Sequence, residues 1–130
     1  MKNSIEEKML IQKAIEAMEK SYSPYSGFPV GAALLTDDGE IFTGTNVENA
    51  SFGLTVCAER SAIVSAVSNG KRKFKAIAVV SKRSEPTSPC GMCRQFMAEF
   101  GDFEVLLAGR ENLLRTTVFE LLPMHFEMEK

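Results

Sequence analysis

Three cysteines and one glutamate hold most of the chemistry this sequence can be read for. Two stand as Cys90-Gly91-Met92-Cys93 and the third is Cys57, far upstream. An odd number cannot all pair within the chain, and a reducing compartment would keep them as thiols. The spacing suits a metal clamp in which two distant loops converge. Read alone, Cys-x-x-Cys serves equally as a redox pair at a helix start or as two buried thiols. Three protein ligands fit a catalytic zinc, which keeps its fourth position open, better than a structural zinc closed by four. The single histidine, His125, is the only candidate for a fourth ligand, and its neighbours Met124 and Phe126 near the C-terminus make it a poor one. Glu59 follows Cys57 by two positions, where a carboxylate can sit beside a water at the metal and carry its protons. Taken bare, a glutamate in the first turn of a helix is more often a partner for the helix dipole.

Such a site needs elements that bring distant loops together. Ser4-Ile5-Glu6-Glu7 reads as a capping box, and Ile5, Met9, Ile15 and Met18, with Ile11 and Ala14 alongside, form an apolar stripe at helical spacing over about residues 5 to 20. Val30 to Thr36 and Glu40 to Thr45 flank Asp37-Asp38-Gly39, the composition of a hairpin turn. A second helix fits residues 57 to 68 with Gly70 as its stop, and Lys75 to Ser81 reads as a buried strand. A third helix fits Gly91 to Phe100, ended by Gly101, and Phe103 to Ala108 makes a further strand. Thr117-Val118-Phe119-Glu120 caps a short helix that must stop by Pro123. The order αββαβαβα gives one mixed sheet between helices. Cys57 and Cys90 fall at helix N-termini, where the partial positive charge favours thiolates. Three thiolates leave a zinc site at a formal −1, and Arg60, one turn after Cys57, is placed to offset this by hydrogen bonds to sulfur.

The remaining composition is that of an ordinary soluble domain: 130 residues, 45% of them hydrophobic, with a formal net charge of −2. One domain over residues 1–130 is expected. The apolar stretches are too short or interrupted to span a bilayer, and Met1 to Lys8 has no apolar core, so a cytoplasmic protein is expected. The acidic balance gives no footprint for nucleic acid, Lys71, Arg72, Lys73 and Lys75 reading as a solvated loop.

Cys57-Ala58-Glu59 together with Pro89-Cys90-x-x-Cys93 is the signature of zinc nucleobase deaminases, with cysteine replacing the usual first histidine. The chain resembles the small homotetrameric cytidine deaminases through nearly its whole length. The matching motifs are Tyr25-Ser26-x-Phe28-x-Val30-Gly31-Ala32-Ala33, Asn46-x-Glu48-Asn49-Ala50, Cys57-Ala58-Glu59-Arg60, Pro89-Cys90-Gly91-x-Cys93-Arg94-Gln95 and Leu121-Leu122-Pro123-x-x-Phe126. The resemblance implies a three-layer α-β-α sandwich with a mixed sheet of roughly five strands. It implies one zinc per subunit on Cys57, Cys90 and Cys93, with Glu59 as proton shuttle and Arg60 tempering the thiolates. It further implies that Asn46 and Glu48 hold ribose hydroxyls, that Phe28 and Ala58 lie at the substrate, and that Phe126 covers the base in a neighbouring subunit's site. On composition alone Phe28 reads more readily as core and Asn46 as a strand-end turn residue. Phe52 stands where the family often has tyrosine.

The function so implied is hydrolytic deamination of cytidine and deoxycytidine to uridine and deoxyuridine with release of ammonia, in pyrimidine salvage. A small-molecule nucleoside, no nucleic acid and no membrane are the expected partners, in a homotetramer with sites at subunit interfaces. The nearest alternative is a deaminase of another cytosine-containing molecule such as blasticidin S, which Glu48 argues against because a carboxylate there suits the paired hydroxyls of a sugar.

Overall fold

The computed structural model describes residues 5–129. Its elements run α1 (Ile5–Met18), β1 (Val30–Thr36), β2 (Ile41–Thr45), a short 3-10 turn at Phe52–Leu54, α2 (Ala58–Ser68), β3 (Phe74–Ser81), α3 (Gly91–Ala98), β4 (Glu104–Ala108), β5 (Leu113–Thr117) and α4 (Val118–Leu121). Ser4, the first half of the expected capping box, lies outside the described residues.

The five strands form one sheet in the order β2-β1-β3-β4-β5. Only β3 and β4 run parallel, joined by the crossover that contains α3, and the other neighbours are antiparallel. Gly39, at φ +91°, closes the β1–β2 hairpin in a left-handed turn that a side chain would strain.

Alternation along the strands builds two cores. On one face Ala32, Leu34, Ile77, Val79, Val105 and Leu107 pack against Ala62, Ile63 and Ala66 of α2 and Met97 of α3. On the other, Ala33, Leu35, Ala76, Ala78 and Val80 pack against Leu10, Ala14 and Met18 of α1. The layers are therefore helix, sheet, helix, as the sequence implied.

The structure differs from the sequence reading in two places. The apolar stripe of α1 is Leu10, Ala14, Ala17 and Met18, with Ile11 and Ile15 at its margin, while Ile5 and Met9 are exposed. Glu7 takes the buried position instead, because Arg115 of β5 pairs with it in bidentate fashion, Nε to Oε2 at 3.0 Å and Nη2 to Oε1 at 2.8 Å. The second difference is β5 itself. Leu-Leu-Arg-Thr-Thr sits at the sheet edge, half covered, and shows none of the alternation that marks a strand buried on one face.

Candidate metal centre and active site

The strand register decides where the site can be. Val30 pairs with Ser81 across β1 and β3, and Gly31 pairs with Thr45 across β1 and β2. The start of β1, the end of β2 and the end of β3 therefore lie at one edge of the sheet. The chain leaves that edge toward Phe28, toward Asn46–Cys57 and toward Cys90. Two isolated bridges, Tyr22 with Val47 and Val47 with Val56, tie the first two of these segments together.

Close backbone contact then fixes α2. A Cβ on Gly44 of β2 would lie 2.3 Å from the Ala62 nitrogen and 2.5 Å from the Ala58 oxygen, so the helix rests directly on the strand. Cys57 is the N-cap of α2 and Cys90 the N-cap of α3, both in extended backbone conformation and neither bonding to its own helix through sulfur. Ser, Thr, Asp or Asn would normally fill these positions and spend the side chain on the helix amides. Cysteine leaves the sulfur free to face across the gap.

The Cys57, Cys90 and Cys93 sulfurs lie within 4.8 Å of one another, and Cys57 and Cys90 are 3.9 Å apart. A tetrahedral zinc with Zn–S bonds of about 2.3 Å requires sulfurs about 3.8 Å apart, which the Cys57–Cys90 spacing matches and the whole cluster approaches to within about 1 Å. Soft thiolates and a count of three also match the chemistry of zinc with one open position. His125 does not join them. Its ring stacks on Phe119 with centroids 4.3 Å apart, and its Nε2 meets Glu127 at 2.7 Å.

Electrostatics in the cluster follow from crowding three thiols beside one guanidinium. The Cys57 thiol is pushed down to about 5, first by the hydrogen bond from Cys93, then by Arg60 and Cys90, against the opposing effect of burial. Cys93 is shifted upward because it keeps the proton it shares with Cys57 and is itself buried. Arg60 reaches the Cys57 sulfur at 3.6 Å and the Thr55 carbonyl at 3.0 Å through Nη2. Glu59 is 4% exposed, and burial, helped by the Cys57 charge, pushes its carboxyl up to about 7.

The other expected residues line the same edge. The Asn46 side-chain oxygen accepts from Ser21 Oγ and from the Val30 amide at 2.9 Å, while its Nδ2 donates to the Phe28 carbonyl at 3.0 Å. Asn46 thus shapes the backbone around Phe28 and keeps one N–H in reserve. Glu48 Oε1 accepts from the amides of Tyr25 and Ser26, at 3.0 Å and 3.1 Å, and Ser26 Oγ donates to Oε2. Ala58 is fully buried at the head of α2. Phe126 is 69% exposed and its ring has open surroundings within its own chain. Phe52 packs edge-on to Tyr25, with centroids 6.2 Å apart.

Sequence reasoning had no signal for Ser21 and little for Ser26, since each acts only through a residue brought near by folding. Arg94 was visible merely as part of a motif. In the structure it binds the Pro89 carbonyl at 2.9 Å, the Leu121 carbonyl at 2.8 Å and Ser88 Oγ, clamping the loop that delivers Cys90.

Comparison with known proteins agrees with this geometry. Residues 4–108 match the cytidine and deoxycytidylate deaminase zinc-binding region. Cytidine deaminase of Sporosarcina psychrophila is 50% identical over 123 residues, 92% of this chain and 90% of that one. A crystal structure of cytidine deaminase from Burkholderia pseudomallei matches with a TM-score of 0.89 at 50% identity, over 92% of this chain and 98% of the other. Blasticidin-S deaminase of Bacillus cereus is more distant, at 36% identity over 126 residues, 90% of this chain and 89% of that one. Among the described residues no helix is long and apolar enough to cross a membrane.

Proposed function

Since the chain belongs to the cytidine and deoxycytidylate deaminase zinc-binding family, we propose that it hydrolyses cytidine and deoxycytidine to uridine and deoxyuridine with release of ammonia. The observation that carries this reading is geometric: Glu59, buried in the first turn of α2 two residues after Cys57, lies at the head of a three-sulfur metal clamp. A carboxyl held there is placed to take a proton from water and return it to the substrate.

Cys57, Cys90 and Cys93 hold the zinc. When bound, the metal supplies a Lewis acid that brings the pKa of water toward neutrality. Glu59 accepts a proton from the attacking water on a carboxylate oxygen, and gives it to N3 of cytosine. It takes the water's second proton as the C4–O bond is completed, and passes it to the exocyclic amine as the C4–N4 bond breaks. Burial serves both transfers, because a carboxyl kept from bulk water exchanges its proton with the substrate rather than with solvent. Arg60 holds the Cys57 thiolate and offsets part of the cluster's negative charge.

Asn46 and Glu48 are the proposed ribose contacts, each with capacity left after its bonds to the 25–30 segment. Phe28 flanks the base, while Ala58, fully buried, belongs to the head of α2 that carries Glu59. Phe126, which is 69% exposed, supports a homotetramer in which the ring closes a neighbour's site. Pyrimidine salvage in the cytoplasm is the setting this chemistry suits.

The test is direct. The purified protein is expected to hold about one zinc per chain by emission spectroscopy, and to consume cytidine by loss of ultraviolet absorbance. A site with polar groups for ribose should disfavour free cytosine by orders of magnitude. Equal kcat/KM for cytosine and cytidine would overturn the nucleoside assignment. Efficient turnover of blasticidin S with poor turnover of cytidine would replace it with the more distant relative's activity.

A further inference from the structure

We infer that Gln95 is a positioning residue: it fixes the C-terminal segment that carries Phe126 to the helix that carries Cys93. Gln95 lies on α3, and its side chain meets both backbone groups of one residue. Oε1 accepts from the Phe126 amide at 3.1 Å, and Nε2 donates to the Phe126 carbonyl at 3.0 Å. One hydrogen bond would fix a distance. Two, to the amide and carbonyl of the same residue, fix the orientation of its Cα and hence the direction in which the ring leaves the chain.

Little else holds the segment there. Residues 122–129 form no helix or strand, and Met124, Phe126 and Met128 are all exposed. Between α3 and the segment lies a cavity of ≈ 640 Å³, lined by Gln95, Ala98, Glu99, Phe126 and Met128 among others. The Gln95 bonds span a gap that apolar packing does not fill. The other anchor is the stack of His125 on Phe119, one residue away from Phe126, with the rings 19° apart. Neighbouring Arg94 holds Pro89 and Leu121 through separate bonds, so replacing Gln95 leaves the loop before Cys90 in place.

The inference rests on Phe126 acting at the substrate, and the experiment separates the two ideas. The variants are Gln95→Met, which keeps length and loses both bonds, Gln95→Glu, which keeps only the acceptor, and Phe126→Ala. Amide exchange of residues 122–129 is followed by mass spectrometry on the intact zinc-loaded protein, beside zinc content and steady-state kinetics. For Gln95→Met the expected result is full zinc, exchange faster by about tenfold or more, and KM raised about threefold to tenfold with kcat nearly kept. Gln95→Glu is expected to fall between wild type and Gln95→Met. Unchanged exchange in Gln95→Met overturns the clamp. Fast exchange with an unchanged KM overturns the positioning role, provided that Phe126→Ala raises KM. An unchanged KM in Phe126→Ala itself refutes the lid reading and the positioning role with it, while the exchange result still decides the clamp.

Discussion

Replacing Gly44 with alanine puts a methyl group where β2 and α2 touch, and the structure sets the size of the conflict. The added Cβ would lie 2.3 Å from the Ala62 nitrogen, 2.5 Å from the Ala58 oxygen and 2.9 Å from the Ala62 Cα, whereas ordinary contact begins at 3.4 Å. All three are backbone atoms of a helix, so no rotamer change relieves them. To restore contact, α2 must retreat by about 1 Å. Overpacking of this kind costs about 1–3 kcal/mol, and for a domain of this size each kcal/mol lowers Tm by about 4 °C. The same retreat shifts Cys57 and Glu59, which sit at the head of α2, relative to Cys90 and Cys93 at the head of α3. A displacement of about 1 Å in a catalytic group can cost about 10²-fold in rate, and it also disturbs the 3.9 Å sulfur spacing that suits zinc. Calorimetry, metal content and kcat/KM should therefore fall together in Gly44→Ala. Gly53→Ala, where a Cβ meets nothing within 4 Å, is the control and should leave Tm and zinc unchanged. A Gly44→Ala protein with wild-type Tm, full zinc and full activity would refute the argument that this contact sets the site.

Glu59→Gln should keep the fold and the zinc while kcat falls by about 10²-fold to 10⁴-fold, the range for loss of a general acid–base group; near-normal kcat with full zinc would remove Glu59 from the mechanism. Asn46→Ala frees the Val30 amide and the Phe28 carbonyl from their side-chain partner, so KM should rise, and an unaltered KM would reduce Asn46 to a turn residue. Glu48 is held below its ordinary 4.5, mainly by the Ser26 hydroxyl. A lowered carboxyl keeps its contribution above the ordinary pKa and loses it as pH falls through the lowered value. Ser26→Ala should thus move the acid-side rise in KM to higher pH, and an unmoved profile would detach Glu48 from ribose binding. Glu7→Ala should lower stability to urea by about 1–3 kcal/mol, because Arg115 loses its bidentate partner, with kcat/KM unaffected; full stability would show the pair to be dispensable.

Local signals made most of the fold legible. The β1–β2 hairpin showed in Asp37-Asp38-Gly39, and the cap of α4 showed in Thr117, whose side chain does accept from the Glu120 amide. The clustering of the three cysteines was legible from the Cys-x-x-Cys spacing and the matching Cys57-Ala58-Glu59 motif, which do not depend on where a helix begins. What stayed hidden depends on partners distant in sequence. Glu7 looks like a first-turn acid until the sheet brings Arg115 beneath it, and Leu10 took the place in the core that Ile5 and Met9 were expected to fill. Edge strand β5 has too little burial to impose a pattern. Gln95 showed only as the last residue of a motif, and the return of the C-terminal segment is what gives it a partner.

The substitution of cysteine for ordinary caps at two helix starts explains why metal and proton carrier come together. An N-cap side chain ordinarily satisfies a helix amide, worth about 1 kcal/mol, and Cys57 and Cys90 both forgo that bond. The loss is tolerable only if something else holds the helix ends. For α3 this is Arg94, which binds the carbonyl of Pro89 directly before the cap, and for α2 it is the backbone contact at Gly44 together with Arg60 on Thr55. With the ends held from behind, the sulfurs are free to converge. Glu59 then enters the first turn of α2 on the buried side, where the loss of solvent, helped by the charge of Cys57, raises its pKa. The uncapped helix ends and the raised carboxyl are thus consequences of one arrangement, in which structural support has moved from the cap side chains to residues one turn away.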